Sequence, residues 1–189
     1  MSPIKKQALI IIDAQQELIE GNLEESSVFN KENLIKNINL VIEKAVKDNI
    51  QILFIRDTDV CEGKGEGFQI HQNIHIPTHA TIFDKKATNA FHRTELKSYL
   101  ESKEIEHIVI MGCKTEYCID TAVRAATVNN LDVTLVSDGH STTNTSVLSA
   151  EQIINHHNEI LHGHYNVDHF SIVRSAKDDL FVPTHDSYR

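Results

Sequence analysis

Among the three cysteines of the chain, Cys118 stands where a thiol could act as a nucleophile. It closes the run Gly112-Cys113-Lys114-Thr115-Glu116-Tyr117-Cys118, in which an apolar strand ends, a tight turn follows and a helix begins. Backbone N–H groups at a helix N-terminus are free, and the helix dipole favours an anion there. Both effects favour thiolate over thiol, and the same amides can hold the oxyanion of an acyl-transfer intermediate. The competing reading makes Cys118 a small buried hydrophobe, the usual fate of a free cysteine. Cys113 continues the apolar run of its strand and reads as structural, while Cys61 sits in a polar loop with no base identified beside it. A nucleophilic thiol also needs a proton acceptor and a positive neighbour. Asp13 ends an apolar strand, where a carboxylate is expensive unless it is used or paired, or else it caps a turn. Lys85 directly follows another strand and is otherwise a solvated loop lysine, the default for Lys86 beside it.

The elements that must position these residues alternate in type. Gln7 to Ile12, Gln51 to Arg56, Thr81 to Phe83, His107 to Met111, Val133 to Val136 and Phe170 to Val173 are apolar runs of strand length. Between them, helical spacing marks residues 32–48, 93–102, 116–129 and a segment from Ala150 to Leu161. Strands alternating with helices predict a three-layer α/β/α sandwich around a doubly wound, mainly parallel sheet of five to six strands. Ligands of such sheets bind beyond the carboxyl ends of the strands, where Asp13, Asp57, Lys85, Gly112 and Asp138 all fall. Polar residues also end strands for ordinary reasons, so this clustering is a clue and no more. The reading is one domain over residues 1–189, with 57–79 as a loop over the active site and 163–189 as a C-terminal extension that packs on a partner subunit.

Composition excludes several classes of function. The chain has 189 residues, 40% hydrophobic and 24% charged, ordinary values for a globular protein. A formal net charge of −9 without any Lys/Arg run repels nucleic acid and anionic membranes. No apolar run reaches the length of a membrane span, and the one after Lys5-Lys6 is too short for a signal segment before Asp13 stops it. The expectation is a cytoplasmic protein, where an odd number of cysteines argues against a disulfide framework. Twelve scattered histidines show no ligand-like clusters, which argues against metal storage, and His157 reads as a buried histidine on a helix.

Three blocks in order carry a resemblance to a known family. The first is Ala8-Leu9-Ile10-Ile11-Ile12-Asp13-Ala14-Gln15. The second is Lys85-Lys86-Ala87-Thr88-Asn89-Ala90-Phe91 followed by Thr94 and Leu96. The third is Gly112 through Cys118, continuing to Thr121 and Ala122 and then Ser137-Asp138-Gly139-His140-Ser141. Together they resemble the isochorismatase-like cysteine hydrolases, the group that includes nicotinamidases and N-carbamoylsarcosine amidohydrolases, over nearly the whole chain from Ala8 to about Leu161. The resemblance implies a triad in which Asp13 moves the proton, Lys85 stabilises the thiolate and orients Asp13, and Cys118 attacks a carbonyl carbon. It implies a cis peptide at Cys113–Lys114, with the backbone N–H groups of Lys114 and Cys118 at the oxyanion. Gln15, Phe91 and Tyr117 are the expected substrate-binding side chains. The substrate class is a small amide, carbamoyl compound or cyclic amide, and a homo-oligomer, dimer or tetramer, is expected.

No cofactor and no metal are expected. Metal-dependent nicotinamidases carry an Asp-x-His pair, whereas Asp57 here is followed by Thr58-Asp59; His71 and His75 remain the candidates should a metal bind. Isochorismatase-type ether cleavage is the rival enzymatic reading, but those enzymes lack the nucleophilic cysteine that this chain has. A degenerate member serving as a binding or assembly module is the non-enzymatic alternative. It would usually have lost one of the three triad positions, and all three are present.

Overall fold

The computed structural model describes residues 6–189. The strands are β1 (Lys6–Ile12), β2 (Gln51–Asp57), β3 (Thr81–Lys85), β4 (Ile105–Cys113), β5 (Asp132–Ser141), β6 (Tyr165–Asn166) and β7 (His169–Arg174). They form one sheet in the order β3-β2-β1-β4-β5-β7-β6. Each neighbouring pair is parallel except β6 with β7.

The continuous apolar runs follow from burial on both faces, because successive strand side chains point to opposite sides. Leu9, Ile11, Phe54, Val109 and Met111 enter one core. Ala8, Ile10, Ile12, Ile55 and Ile110 enter the other. The helices are α1 (Gln16–Glu20), α2 (Lys31–Lys47), α3 (Gly65–Phe68), α4 (Leu96–Ser102), α5 (Asp120–Val128) and α6 (Ala150–Leu161). α2 covers the first face with Leu34, Ile38, Val41, Ile42 and Ala45. α4 and α5 cover the second with Leu96, Leu100, Ala122, Val123 and Ala126. Three layers result, a seven-stranded version of the expected sandwich.

Several elements differ from expectation for local reasons. β6 is two residues long and carries no readable pattern. The helix expected from 93 starts at Leu96, after Arg93 adopts a positive φ of 55°. The helix expected over 116–129 is two pieces, a π-helical turn Thr115–Ile119 and then α5. The segment 163–189 packs on its own domain: β7 pairs with β5, Leu180 and Phe181 join the first core, and Gln7 Nε2 donates to the Phe181 carbonyl at 2.8 Å. Among the described residues, no helix is long and apolar enough to cross a membrane.

Candidate active site

Asp13 is the first residue past β1, and its φ of 51° turns the chain where the strand stops. Left-handed backbone is uncommon outside glycine, and Asp is among the residues that tolerate it. Its own N–H donates to the Ile55 carbonyl at 2.8 Å, tying the turn to β2. Beside it, near the end of β4, lies Gly112, whose φ is +126° and where a Cβ would lie 1.9 Å from the Ile12 carbonyl oxygen. Only a glycine lets β4 press this closely on the end of β1, so the next turn, with Cys118, begins next to Asp13. The Cys113–Lys114 peptide is cis.

β3 delivers the lysine from two strands away. Lys85 pairs in register with Asp57 at the end of β2. Gln15 fixes that end: its Oε1 accepts from the Asp57 N–H at 2.7 Å, and its Nε2 donates to the Asp57 and Phe68 carbonyls at 3.1 and 2.8 Å. The turn holding Cys118 is braced from below. Asn158 Nδ2 donates to the Ser137 carbonyl, which leaves its Oδ1 to accept from His140 Nε2 at 3.0 Å. His140 Nδ1 is then the acceptor for the Thr115 hydroxyl at 2.9 Å. Burial holds His140 neutral, its pKa lowered to about 4, so this chain keeps one polarity at physiological pH.

The three side chains converge. Lys85 Nζ lies 2.9 Å from Asp13 Oδ2, 2.5 Å from Asp57 Oδ2 and 3.4 Å from Cys118 Sγ. Its side chain is 0% exposed and that of Asp13 is 1%, so this charge cluster sits out of water. Burial raises Asp13 to about 6, against the pull of the Lys85 ammonium. Burial by itself would lower Lys85, but Asp13, Cys118 and Asp57 more than reverse it and keep the ammonium charged. Cys118 is pushed up to about 12, first by burial and then by the Asp13 carboxylate, with Lys85 opposing. A position near a helix start suggests a thiolate; the structure instead favours the thiol, because burial and the Asp13 carboxylate together outweigh the Lys85 ammonium. Cys113 is pushed further up by its full burial.

This cluster floors a cavity of about 380 Å³ whose walls include Glu17, Leu18, Asp59, Cys61, Lys114 and Tyr117. Tyr117 is 57% exposed at its mouth. Gln15 is fully buried and spends its amide on backbone, outside the cavity lining. Phe91 packs towards the second core and lines a different cavity with Lys97 and Leu100, because the strand-to-helix link after Lys85 carries it past the site. Lys86 is exposed, and Lys85 is the residue that points inward. Glu17, Asp57, Asp59 and Cys61 were not singled out as site residues by the sequence. Asp57 had a signal in its place at a strand end, and Asp59 and Cys61 only in falling within the 57–79 loop expected over the site.

The isochorismatase-domain family model matches residues 7–155. The chain belongs to the isochorismatase family. It is 29% identical over 140 residues to YrdC, an uncharacterised isochorismatase-family protein of Bacillus subtilis (strain 168), covering 71% of this chain and 73% of that one. It is also 29% identical over 93 residues to the nicotinamidase of Escherichia coli (strain K12), covering 43% and 44% of the two chains. A crystal structure of an isochorismatase family protein superposes with a TM-score of 0.81 at 24% identity, covering 91% of this chain and 99% of that one. The protein is therefore an isochorismatase-family hydrolase with amidase relatives.

The donor set of this family member does not suit a metal ion. One oxygen each of Asp13 and Asp57 and the Cys118 sulfur lie within 4.8 Å of one another. The cation among them is already the Lys85 ammonium, which contacts all three. His71 turns away: its Nε2 meets Glu20 Oε1 at 2.9 Å and its Nδ1 accepts the Asn73 N–H. His75 is exposed.

Proposed function

We propose that this isochorismatase-family hydrolase cleaves the C–N bond of a small amide, carbamoyl compound or cyclic amide through a Cys118 thioester. The observation that carries the reading is one buried ammonium, Lys85, in contact with both a buried carboxylate and the Cys118 sulfur. In the resting site the thiol keeps its proton and Asp13 is ionised above about pH 6. As Sγ bonds to the substrate carbonyl carbon, the thiol proton passes to Asp13, whose Oδ1 has no hydrogen-bond partner. Lys85 offsets the charge on sulfur, and the backbone N–H groups of Lys114 and Cys118 take the oxyanion. Asp13 then gives the proton to the leaving nitrogen, the C–N bond breaks, and an amine or ammonia departs. Water, deprotonated by Asp13, attacks the thioester; the acid leaves and the proton returns to sulfur.

A screen of small amides read as ammonia release tests the reaction. Acid quench during turnover should show an acyl mass increment on the Cys118 peptide. Turnover that survives Cys118→Ala would overturn the reading. The same reading makes the protein a cytoplasmic homo-oligomer, dimer or tetramer, with no nucleic-acid or membrane partner; light scattering measures its size.

A further inference from the structure

The walls of the active-site cavity are unusually acidic. Five of its thirteen lining residues are carboxylates, Asp13, Glu17, Glu25, Asp57 and Asp59, against 27 of 189 in the whole chain. Two ammonium groups face them. Lys85, beneath the floor, is taken by Asp13 and Asp57, and Lys114 on the wall pairs with Glu25. Five carboxylates less two ammoniums leaves three negative charges uncompensated around about 380 Å³. Glu17 has no cationic partner: the Cys61 thiol and the Asn22 amide donate to it, and those hydrogen bonds hold its carboxyl below its ordinary value and so ionised. Asp59 is exposed at the cavity, and its carboxylate enters no hydrogen bond or ion pair within the described structure. Asp13, one of the five and 1% exposed, leaves its Oδ1 without a hydrogen-bond partner at the cavity floor. Concave, low-dielectric walls of one sign focus their field on whatever enters.

We infer that the substrate of this site is a cation, an amide or carbamoyl compound bearing an ammonium or guanidinium group a few bonds from its carbonyl, received by Glu17 and Asp59. The word amide in that inference rests on the proposed function; the charge does not. An anionic substrate would meet three like charges, and a neutral one would gain nothing from them. Leu18, Val60 and Tyr117 supply apolar wall for a short spacer between the two ends of the molecule.

Alkylation of Cys118 reads the field without assuming any reaction. Rates with 2-bromoethylammonium, iodoacetamide and iodoacetate, each divided by its rate with mercaptoethanol and mapped to the Cys118 peptide, should fall in that order. Steps on the order of tenfold are expected, shrinking in high salt. Asp59→Asn, at an exposed position that need not disturb folding, should narrow the spread, and Glu17→Gln with Asp59→Asn should narrow it further. Equal normalised rates, iodoacetate fastest, or a spread unmoved by both variants would overturn the inference. The second arm compares β-alaninamide, butyramide and succinamate by ammonia release, with β-alaninamide expected to show the highest kcat/KM. If the alkylation order holds and no amide is hydrolysed, the charge inference stands and the amidase reading falls. If butyramide or succinamate is hydrolysed best, the amidase reading stands and the charge inference falls.

Discussion

The floor and the rim of the cavity carry similar charges in opposite circumstances. On the floor, Asp13 and Lys85 are almost wholly buried and bound to each other, with Asp57 closing the group. On the rim, Glu25 pairs with Lys114 in partial contact with solvent, while Glu17 and Asp59 lack any cation. Buried charges must be paired or they are too costly to keep, so the floor has essentially one workable arrangement. Exposed charges can stand alone at little cost, so the rim can vary in sign and number without endangering the fold. The comparison teaches that pairing constrains the floor, where the proposed reaction lies, and leaves free to vary the rim, where the proposed choice of substrate lies.

That division can be broken at several points. Cys118→Ala should lower turnover about 10⁴-fold or more, as losses of a covalent nucleophile do. Its thermal unfolding curve should stay close to that of the parent, since the change removes one sulfur atom that already borders a cavity. Lys85→Met should act on both activity and stability, because it leaves Asp13 and Asp57 side by side with no counter-charge. Breaking a buried pair this way costs about 3–5 kcal/mol, readable as a lower urea midpoint. An unchanged midpoint would mean the floor is less tightly coupled than its distances say.

pH sharpens the comparison next. In the proposed mechanism Asp13 is the base, so the ionised form is the active one, and its raised value places the loss of activity on the acid side. kcat/KM should fall about tenfold per pH unit below about 6 and stay level above it, with the Cys118 thiol titrating only near 12. Asp57→Asn removes a like charge that raises Asp13, so the acid limb should move to lower pH. Gln15→Leu should have a smaller effect, lowering kcat by about tenfold with little change in KM, because it loosens Asp57 and through it Lys85 without touching substrate. Exhaustive chelation should change nothing, since the Lys85 ammonium fills the place a metal would take. Activity lost to a chelator and restored by zinc would refute that assignment.

The floor was readable in the sequence because it lies where long apolar strands stop. Asp13, Lys85 and Cys118 each end or follow such a run, and the register of the second motif block separated Lys85 from Lys86. The rim was readable only in outline, as the 57–79 loop and Tyr117. Glu17 lies on a helix of five residues, and Cys61 on a turn with left-handed backbone at 61 and 62, neither of which leaves a periodic signature. Gln15 and Phe91 show the limit from the other side. Both belong to the motif blocks, but the first supports backbone and the second faces another cavity, so presence in a motif did not imply contact with substrate. The thiol's protonation state was equally hidden, because it depends on how deeply the fold buries Cys118 and on the Asp13 carboxylate brought in by β1, not on the local turn alone.

The sheet order has one more consequence. Lys85 is the last residue of β3, and β3 is the outermost strand, hydrogen-bonded to the sheet only through β2. Edge strands are the first parts of a sheet to detach, with opening energies well below that of the whole domain. If β3 peels away, the ammonium leaves with it while β1, β4 and the central core remain assembled. The enzyme should therefore stop working before it melts: under mild denaturant, activity should vanish at a lower concentration than the loss of circular dichroism, and backbone amides of β3 should exchange with solvent sooner than those of β1.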